Sequence, residues 1–418
     1  MTVPAKVFRS LCLAATGITI YLYYYTALCN WKWKASSTRI LFLADPQLEG
    51  DAKLYRDGRL GELDLNFNDY YFRHVFTSFV SPFSLFGPPP THVVLLGDLF
   101  SSQWIDDVEF EKRVERFKWI FGDNNYNHHL VNMSGNHDIG YGRDMTRYRI
   151  DRWERVFGKT NFFFRVQTPI GNSPTNAHHH PASPPEHIFA VINSQNIDGP
   201  AWDEVLRSET WAFLNELAAE RERDNYKTPL VLLTHIPLHK EAGLCVDGLF
   251  VCYDDFNHIT EQNHLTPNAT NFILTKLRPR FIFAGHDHEG CDVTYDVTWS
   301  KEEGKDEITV EAYLTKDYSQ ATARKSERYD DQDGNLGVRE VTVRSVMAGF
   351  GGNAGLFEIR YRNGAFQYAY QNCPFVTNHI PWIIMILDAI LILVWIFMKV
   401  FLSAWNKMLV EGVPPIKN

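Results

Sequence analysis

Short apolar runs that end in polar residues recur through the middle of the chain and predict buried strands. They show little alternation of apolar and polar positions, which is typical of strands covered on both faces. The runs are RILFLAD (39–45), HVVLLGD (92–98), HLVNMSGN (129–136), IFAVINS (188–194), PLVLLTH (229–235) and RFIFAGH (280–286). Between some of them, residues 105–121 and 201–224 carry apolar positions at helical spacing. This alternation of strands and helices predicts an α/β fold.

After residue 290 the pattern changes to regular alternation of apolar and polar residues. The segments are CDVTYDV, EITVEAYLT, VREVTVRSVM, LFEIRYR and AFQYAYQ, and no helical pattern separates them. We expect antiparallel strands that complete the same domain. The glycine-rich segment 349–353 is expected to form a turn between strands, with part of a pocket wall as the alternative. The Pro-, Ser- and His-rich stretch 168–187, with a triple histidine at 178–180, is expected to be a solvated surface loop.

Long apolar stretches flank this region and predict two transmembrane helices. Residues 10–29 contain no charge, follow Lys6 and Arg9, and fit an uncleaved anchor better than a cleaved signal peptide. In residues 379–405 only Asp388 interrupts the apolar run before Lys399, and it either lies near the interface or pairs with the first span. The predicted organisation is a cytosolic 1–9, a helix at 10–30, a lumenal domain at 35–376, a helix at 380–403 and a cytosolic tail at 404–418.

The net charge and the cysteines of the chain limit the classes of binding partner and indicate a cellular compartment. The chain has 418 residues and a net charge of −9, without a basic block, so nucleic acid is not an expected partner. Cys12 and Cys29 fall in the first apolar stretch. The middle domain holds the even set Cys245, Cys252, Cys291 and Cys373, as an oxidising lumen permits. Their connectivity cannot be read from the sequence, and the short loop Cys245–Cys252 is the favoured pairing.

Sequence motifs for glycosylation support the same compartment. Asn268 begins the sequon Asn-Ala-Thr in a polar stretch that is expected to be a loop, and we predict that it is glycosylated. Asn132 also matches the motif, but it ends an expected buried strand and is discounted.

Polar residues with metal-binding side chains follow five of the predicted strands. They are Asp45–Pro46–Gln47, Gly97–Asp98, Gly135–Asn136–His137–Asp138, Thr234–His235 and Gly285–His286–Asp287–His288. In open α/β sheets, sites form at the carboxyl ends of the strands, so these groups can converge. Carboxylate, amide and imidazole ligands suit Mn²⁺, Fe²⁺ or Zn²⁺. Two such ions can share a carboxylate, lower the pKa of a shared water and hold a phosphoryl group. The sequence therefore predicts a two-metal centre.

The series DPQ, GDLF, GNHD, TH and GHDH resembles the calcineurin-like metallophosphoesterase superfamily over residues 39–290. The resemblance implies a four-layer α-β-β-α sandwich, flanked here by the two membrane helices, and a dinuclear hydrolase. It implies that one metal is held by Asp45, Gln47, Asp98 and His288, and the other by Asp98, Asn136, His235 and His286, with Asp98 as the bridge. It further implies that His137 faces the phosphate and protonates the leaving oxygen, and that Asp138 orients His137.

Gln47 stands where the superfamily usually has histidine. An amide oxygen is a harder and weaker ligand than imidazole, so of the two divalent ions we expect the one at this first site to bind loosely, and Mn²⁺ to be preferred over Zn²⁺ or Fe²⁺. The motifs LADPQL, GDLF and GHDHEGCDV also resemble the fungal membrane-anchored branch of the endoplasmic reticulum. Its members remove ethanolamine phosphate from a mannose of the glycosylphosphatidylinositol (GPI) anchor.

That resemblance implies a lumenal phosphodiesterase with both termini cytosolic. Its substrate would be the GPI glycan of anchored proteins at the lipid surface, and cargo receptors are candidate partners. The alternatives are a phosphoesterase for another phospholipid headgroup or a nucleotide, and a non-catalytic metal-sensing or cargo protein.

Two segments near the ligand strands are candidates for substrate contacts. The loop 243–258 contains Asp247, Asp254 and Asp255, of which Asp254 is taken as the candidate partner for an ammonium group. A solvated acidic loop is the alternative. His239 follows the strand that ends at His235, and either contacts the phosphate or has a structural role.

Overall fold

The computed structural model describes residues 3–25, 29–122, 128–170, 185–302, 305–315, 335–375 and 379–411. The helices are α1 (Val3–Tyr23), α2 (Asp51–Val80), α3 (Asp107–Phe121), α4 (Asn136–Ile139), α5 (Arg147–Phe157), α6 (Glu204–Arg223), α7 (Pro267–Phe272) and α8 (His379–Glu411). The first seven strands are β1 (Thr38–Leu43), β2 (His92–Leu95), β3 (His129–Asn132), β4 (Phe162–Gln167), β5 (Glu186–Val191), β6 (Leu230–Leu233) and β7 (Val251–Tyr253). The others are β8 (Ile259–Gln262), β9 (Phe281–Ala284), β10 (Cys291–Glu302), β11 (Lys305–Leu314), β12 (Asn335–Thr342), β13 (Asn353–Arg362) and β14 (Ala365–Pro374).

Two mixed sheets form the centre of the domain. The first has the order β14-β13-β1-β2-β3 and the second the order β11-β10-β12-β9-β6-β5-β4. Strands β1, β2 and β3 are parallel, as are β5, β6, β9 and β12. Apolar side chains of both sheets share one buried cluster, in which the rings of Phe42 and Phe283 stack 4.1 Å apart. The two sheets therefore pack face to face around a common core.

Helices cover the outer faces of the two sheets. Leu214 and Leu217 of α6 and the π-helical turn Ile273–Leu277 pack in a second buried cluster with β5, β6 and β9. On the first sheet, Phe76 of α2 lies 5.6 Å from the ring of Phe121 and 5.7 Å from that of His128, directly before β3. The chain thus has a mixed α/β fold in which helices flank a pair of sheets.

Most of the predicted elements are confirmed. The six apolar runs overlap β1, β2, β3, β5, β6 and β9, and the two helical patterns contain α3 and α6. The strands after residue 290 divide between the sheets, since β10, β11 and β12 extend the second and β13 and β14 the first. Strand β12 also pairs in parallel with β9, so this set is not antiparallel throughout.

The chain divides into two compact units, residues 1–28 with 375–418, and residues 29–374. Within the smaller unit, Ile380–Ala404 is long and apolar enough to cross a bilayer. Among the described residues no second helix meets that criterion, so the predicted N-terminal span stays a prediction. Thr19 in α1 donates a hydrogen bond of 2.7 Å to the carboxylate of Asp388 in α8. Of the two alternatives for Asp388, the contact supports pairing with the N-terminal helix.

The predicted disulfide is wrong. Cys245 is bonded to Cys291 and not to Cys252, which is free and exposed. A second disulfide joins Cys29 to Cys373, so Cys29 lies beyond the end of α1 and outside the first apolar helix. The correct partners are 46 and 344 residues apart in sequence and are brought together by the sheets, which loop length alone does not reveal. Cys12 is free, and the triple histidine at 178–180 and the tail after residue 411 lie outside the described residues.

Candidate metal centre

The five polar strand ends converge at one edge of the two sheets. Asp45 and Gln47 follow β1, Asp98 follows β2, and Asn136 follows β3. His235 follows β6 of the second sheet, and His286 and His288 follow β9. Ligand atoms of Asp98, His235 and His286 lie within 4.8 Å of one another. Parallel neighbours in each sheet therefore deliver their carboxyl ends to a shared site, as the sequence predicts.

Asp98 is at the centre of this cluster. Its Oδ1 lies 3.3 Å from Nε2 of His235 and accepts a 2.9 Å hydrogen bond from the backbone N–H of His137. Its Oδ2 lies 3.1 Å from Nε2 of Gln47 and 3.8 Å from Nε2 of His137. The side chain is buried. One carboxylate thus faces both predicted ligand groups, which is the position that a bridging ligand requires.

The tautomer of His235 is set by a backbone carbonyl. Nδ1 donates a 2.8 Å hydrogen bond to the carbonyl of Leu96, which leaves the lone pair on Nε2. Nε2 lies 3.0 Å from Oδ1 of Asn136 as well as close to Asp98. A lone pair that faces two acceptor oxygens is favourable only with a cation among them or with a proton on the nitrogen. The geometry of these donors therefore fits a metal ion.

His286 is oriented in a comparable way by residues that no sequence motif marks. Its Nε2 donates a 3.2 Å hydrogen bond to the carbonyl of Gln262, at the end of the hairpin β7–β8. The hydroxyl of Tyr141 donates to the same carbonyl and lies 3.2 Å from Nε2. The lone pair of His286 is consequently on Nδ1. A main-chain acceptor has no sequence signature, and nothing in the sequence distinguishes Tyr141.

Gln47 and His288 lie together on the other side of Asp98. Nε2 of Gln47 is 3.3 Å from Nε2 of His288, and a half-turn of the carboxamide would place its oxygen at the same position. The ring of Phe350 lies 4.4 Å from that of His288. Phe350 belongs to the 349–353 segment, which forms a turn before β13 and also contributes to the wall beside the site.

Left-handed backbone conformations cluster at the ligand positions. Asp45, Gln47, Asp98 and His286 have φ angles of 52°, 42°, 50° and 72°. Such values are uncommon for residues other than glycine and persist where the surrounding structure enforces them. A Cβ at Gly135 would lie 2.1 Å from Oδ1 of Asp98, so only glycine permits this approach of the third strand end to the second. The sharp turns direct successive side chains into the site instead of onto opposite faces of a sheet.

The buried carboxylates of the cluster need positive charge nearby to compensate for the water they have lost. Burial raises the pKa of Asp45 to about 8; the positive charge of His235 opposes this effect, and the negative charge of Asp98 adds to it. Burial would lower the pKa of His235, but the carboxylates of Asp98 and Asp45 and the carbonyl of Leu96 together outweigh it and raise that pKa to about 9. Burial lowers the pKa of His286 to about 3, which keeps its imidazole neutral as a ligand must be. Divalent cations would supply the charge that the buried carboxylates lack.

Asp138 has a different position from the one that the resemblance implies. Its carboxylate accepts hydrogen bonds from the backbone N–H groups of Gly135 (2.8 Å), Phe100 (3.0 Å) and Leu99 (3.2 Å). Among the described contacts, none joins it to the ring of His137. Asp138 therefore fastens the turn after β3 to the loop after β2, because three backbone donors occupy its oxygens. His137 lies at the edge of the cluster with 37% of its side chain exposed.

The remaining predicted residues lie outside the cluster. Asp254 accepts backbone hydrogen bonds from Phe256 and His258, both 2.9 Å, and pairs with the ring of His258, so it stabilises its own turn. The backbone of His239 donates to Thr270, and in the described part of the chain no contact links its ring to a ligand. Asn268 is exposed, but it lies in α7 and not in a loop. Asp287 is buried and closes the turn by accepting from the backbone of Glu289 and Gly290.

Comparisons with known proteins identify relatives of this architecture. Residues 38–290 match the family model described as calcineurin-like phosphoesterase. Protein TED1 of Saccharomyces cerevisiae is 28% identical, with 85% of this chain and 82% of that protein covered. Metallophosphoesterase 1 of Danio rerio is 26% identical, with 66% of this chain and 71% of that protein covered. A solved structure, GAP50 of Plasmodium, is 9% identical at a TM-score of 0.37, with 82% of this chain and 89% of that one covered.

Proposed function

The chain belongs to the calcineurin-like phosphoesterase family and is a metal-dependent hydrolase, and from this premise we propose that it removes ethanolamine phosphate from a mannose of the GPI glycan. The observation that carries the hydrolytic part of the proposal is the convergence of Asp98, His235 and His286 within 4.8 Å. Carboxylate and imidazole at that spacing are the donors of a site that hydrolyses phosphate esters.

Each residue of the site has a defined task in this reaction. Asp45, Gln47, Asp98 and His288 would hold one divalent ion, and Asp98, Asn136, His235 and His286 the other. When bound, two such ions supply positive charge for the phosphoryl oxygens and an ionised water as nucleophile. Leu96 and Gln262 keep the two histidines in the tautomer that binds metal. His137, half-exposed beside Asp98, donates a proton to the leaving oxygen or stabilises its negative charge.

Features outside the site support a position in the lumen of the endoplasmic reticulum. Disulfides persist in oxidising compartments, and both Cys29–Cys373 and Cys245–Cys291 lie in the larger unit. The apolar helix Ile380–Ala404 supports attachment to the membrane. Asn268 is exposed and available for glycosylation. In the proposed arrangement residues 35–376 are lumenal and both termini are cytosolic, with helices at 10–30 and 380–403 in the bilayer.

The identity of the metal is part of the proposal. We expect Mn²⁺ in preference to Zn²⁺ because Gln47 offers an amide oxygen where imidazole is usual in the family. Elemental analysis of the purified protein gives both the number of ions and their kind. Two manganese ions per chain are expected, whereas one ion per chain would contradict a dinuclear centre.

The test of the substrate is the mass of the GPI glycans in cells that lack the protein. We expect them to retain ethanolamine phosphate, and re-expression to remove it. Asp98→Asn should fail to restore removal, and Asp255→Asn, in the exposed acidic loop, should restore it. Unchanged glycan masses in the deleted cells would contradict the GPI substrate and favour another phospholipid headgroup or a nucleotide.

A non-catalytic role in cargo transport makes the opposite prediction for the same variants. If the metal centre only senses metal or supports binding of GPI-linked cargo, Asp98→Asn or His286→Ala should leave export of GPI-anchored proteins intact. Loss of export together with retention of ethanolamine phosphate in both variants would favour hydrolysis.

A further inference from the structure

The carbonyl of Gln262, which orients His286, lies outside the two main sheets. Gln262 ends β8, and β8 pairs with β7 in a separate two-stranded sheet. The carbonyl that orients His235, by contrast, belongs to Leu96, directly after β2 of the first main sheet. A two-stranded hairpin has little stability of its own. The position of the Gln262 carbonyl therefore depends on contacts between the hairpin and the rest of the domain.

Asp198 makes contacts that hold the end of this hairpin. Its Oδ2 accepts a 2.9 Å hydrogen bond from Nε2 of Gln262 and a 2.7 Å hydrogen bond from the backbone N–H of Thr266. Its Oδ1 accepts from the hydroxyl of Thr266. Thr266 is also the N-cap of α7. One carboxylate thus fixes both ends of the turn that leads from β8 to α7.

Gln262 links Asp198 to the metal ligand. Nε2 of its side chain donates to Asp198 and, at 3.0 Å, to the carbonyl of His264, so both protons of the amide nitrogen are used. Its main-chain carbonyl accepts from Nε2 of His286 at 3.2 Å and from the hydroxyl of Tyr141 at 2.9 Å. Because one buried residue makes both sets of contacts, a displacement of its side chain also displaces the acceptor of His286.

The position of Asp198 requires an acceptor on both oxygens. The side chain is 7% exposed, and among the described residues no Lys or Arg forms an ion pair with it. Its hydrogen bonds to Gln262 and Thr266 compensate for the water that the carboxylate has lost. An amide at this position would turn its NH₂ toward one of the three donors and leave that buried donor without a partner.

Other contacts keep the hairpin attached when Asp198 is changed. The backbone N–H of Ile259, at the start of β8, donates to the carbonyl of Pro200 at 3.1 Å. Beyond the turn, the backbone N–H of Leu265 donates to the carbonyl of Pro237 at 2.9 Å. A change at Asp198 should consequently displace the end of β8 without detaching the whole hairpin.

The acceptor of His286 matters because either nitrogen of a neutral imidazole can carry the proton. Metal-binding histidines donate from the nitrogen that is not the ligand to a fixed acceptor, which sets the tautomer and the ring orientation. With the Gln262 carbonyl in place, the proton is on Nε2 and the lone pair of Nδ1 is free for a metal. With that carbonyl displaced, the ring loses this preference and its fixed orientation.

We propose that Asp198 is a positioning residue of the metal centre, which holds Gln262 and thereby keeps His286 in the tautomer and orientation that bind the second ion. The second ion is the one assigned above to Asp98, Asn136, His235 and His286. The inference rests on the hydrolytic part of the proposed function and adds a residue outside the five ligand motifs. Asp198 acts through Gln262, so it affects metal affinity and not the chemical step.

The first experiment measures Mn²⁺ binding to the metal-free, full-length protein with a competing chelator and without substrate. We expect Asp198→Asn to weaken binding of the second ion by about tenfold to a hundredfold, and to leave the other ion within about threefold of wild type. Asp203→Asn is the matched control. Asp203 accepts from the backbone N–H groups of Val205 and Leu206 at the start of α6, and no described contact joins it to Gln262. Wild-type affinities for both ions in Asp198→Asn would overturn the proposal.

Turnover of bis(4-nitrophenyl) phosphate separates positioning from a merely structural role. In Asp198→Asn the Mn²⁺ concentration for half-maximal turnover should rise with the loss of affinity, whereas kcat at saturating Mn²⁺ should stay within about threefold of wild type. Asp203→Asn should show the Mn²⁺ dependence of the wild type. A lower kcat in Asp198→Asn without a shift in its Mn²⁺ dependence would contradict the proposal.

Gln262→Ala tests the same connection from the other side, because it keeps the main-chain carbonyl and removes the side chain that Asp198 holds. We expect a loss of affinity for the second ion of about tenfold or more. The double variant Asp198→Asn/Gln262→Ala should lose about as much as either single variant, since both changes break one contact. Additive losses would contradict the connection. Gln262→Ala decides the proposal even if Asp198→Asn does not fold, because wild-type affinity in this variant would overturn it.

The two proposals fail in different ways. The GPI substrate fails if glycan masses do not change in deleted cells, whatever the metal affinities are. The positioning role of Asp198 fails if Mn²⁺ binding is unchanged in its variants, even when the GPI glycan is the physiological substrate.

Discussion

Nε2 of His235 lies 3.3 Å from Oδ1 of Asp98, and both side chains are buried at the ends of strands from different sheets. This contact joins the two halves of the fold at the metal centre. It depends on the packing of β6 against β1 and β2 across the common core, so the site can form only when the whole sandwich has folded.

The first prediction concerns that contact. His235→Ala should lower the bound metal from two ions to one per chain and abolish measurable turnover, because one ion loses a ligand and Asp98 loses its buried partner. His129→Ala removes an exposed histidine at the start of β3, away from the site, and should retain both ions. Elemental analysis and turnover of bis(4-nitrophenyl) phosphate are the measurements. Full metal content in His235→Ala would contradict its assignment as a ligand.

His137 should behave differently, since it lies beside the cluster without completing it. We expect His137→Ala to keep two ions and to lose about a hundredfold to a thousandfold in kcat, the usual contribution of a positioned proton donor. A loss of metal in this variant would show that the imidazole is a ligand, and an unchanged kcat would exclude it from proton transfer.

Asp138→Asn separates a structural role from the role implied by the family resemblance. The carboxylate accepts from three backbone N–H groups, and an amide that presents its NH₂ to one of them leaves that buried donor without a partner. We expect a loss of about 2–3 kcal/mol in the free energy of unfolding. The kcat of the folded fraction should stay close to that of the wild type, because the His137 ring is not its partner. A large loss of kcat at unchanged stability would favour the orienting role instead.

The sequence predicts the ligands well because ligand chemistry is concentrated in the first residues after each parallel strand. Asp98 and His286 directly follow apolar runs, where a carboxylate or an imidazole is costly to bury unless a partner such as a cation compensates for the lost water. The edge at which such residues meet follows from the parallel arrangement of the strands. Burial also makes the elements predictable. A strand covered on both faces is a continuous apolar run, and a helix covered on one face has apolar residues at helical spacing, so the strands and the approximate bounds of α3 and α6 can be read from the sequence.

Other features depend on tertiary structure and leave no local signal. The carbonyls of Leu96 and Gln262 orient the two histidines, but every residue has a carbonyl. The disulfide partners Cys29 and Cys373 meet only after β14 has paired with β13. Helix α2 carries Gly58 with a φ of 56° and a largely exposed first half, so it lacks the continuous apolar stripe that predicts a helix.

Gln47→His restores the residue that is usual at this position in the family. Imidazole is a stronger ligand than an amide oxygen for Zn²⁺ and Mn²⁺, so we expect the first site to bind metal about tenfold more tightly and to accept Zn²⁺ more readily. Histidine also tolerates the left-handed φ of 42° better than most residues. Metal titration in the presence of a competing chelator measures the affinity, with Gln47→Ala as the comparison that removes the ligand. Equal affinities in wild type, Gln47→His and Gln47→Ala would mean that the side chain at position 47 does not bind metal.

A last prediction uses a buried histidine far from the metal ligands. His187 is fully buried on β5, where its Nε2 lies 2.9 Å from the hydroxyl of Tyr368. Burial, helped by the guanidinium of Arg280, lowers its pKa to about 3, compared with 6.5 for an exposed histidine. The unfolded chain therefore takes up the proton first as the pH falls. Neutral His187 contributes its full stability above pH 6.5 and loses it progressively between pH 6.5 and 3.

The expected loss in the free energy of unfolding follows from the size of this pKa shift. Between pH 6.5 and pH 5 the loss amounts to about 2 kcal/mol, at 1.36 kcal/mol per pH unit. Denaturant unfolding of the detergent-solubilised protein at the two pH values measures it, and His187→Gln, which cannot be protonated, should lose that part of the pH dependence. His129→Gln, at an exposed position, should keep it. If His187→Gln and wild type lose the same free energy of unfolding over this range, the imidazole of His187 is already protonated or accessible to water in the folded protein.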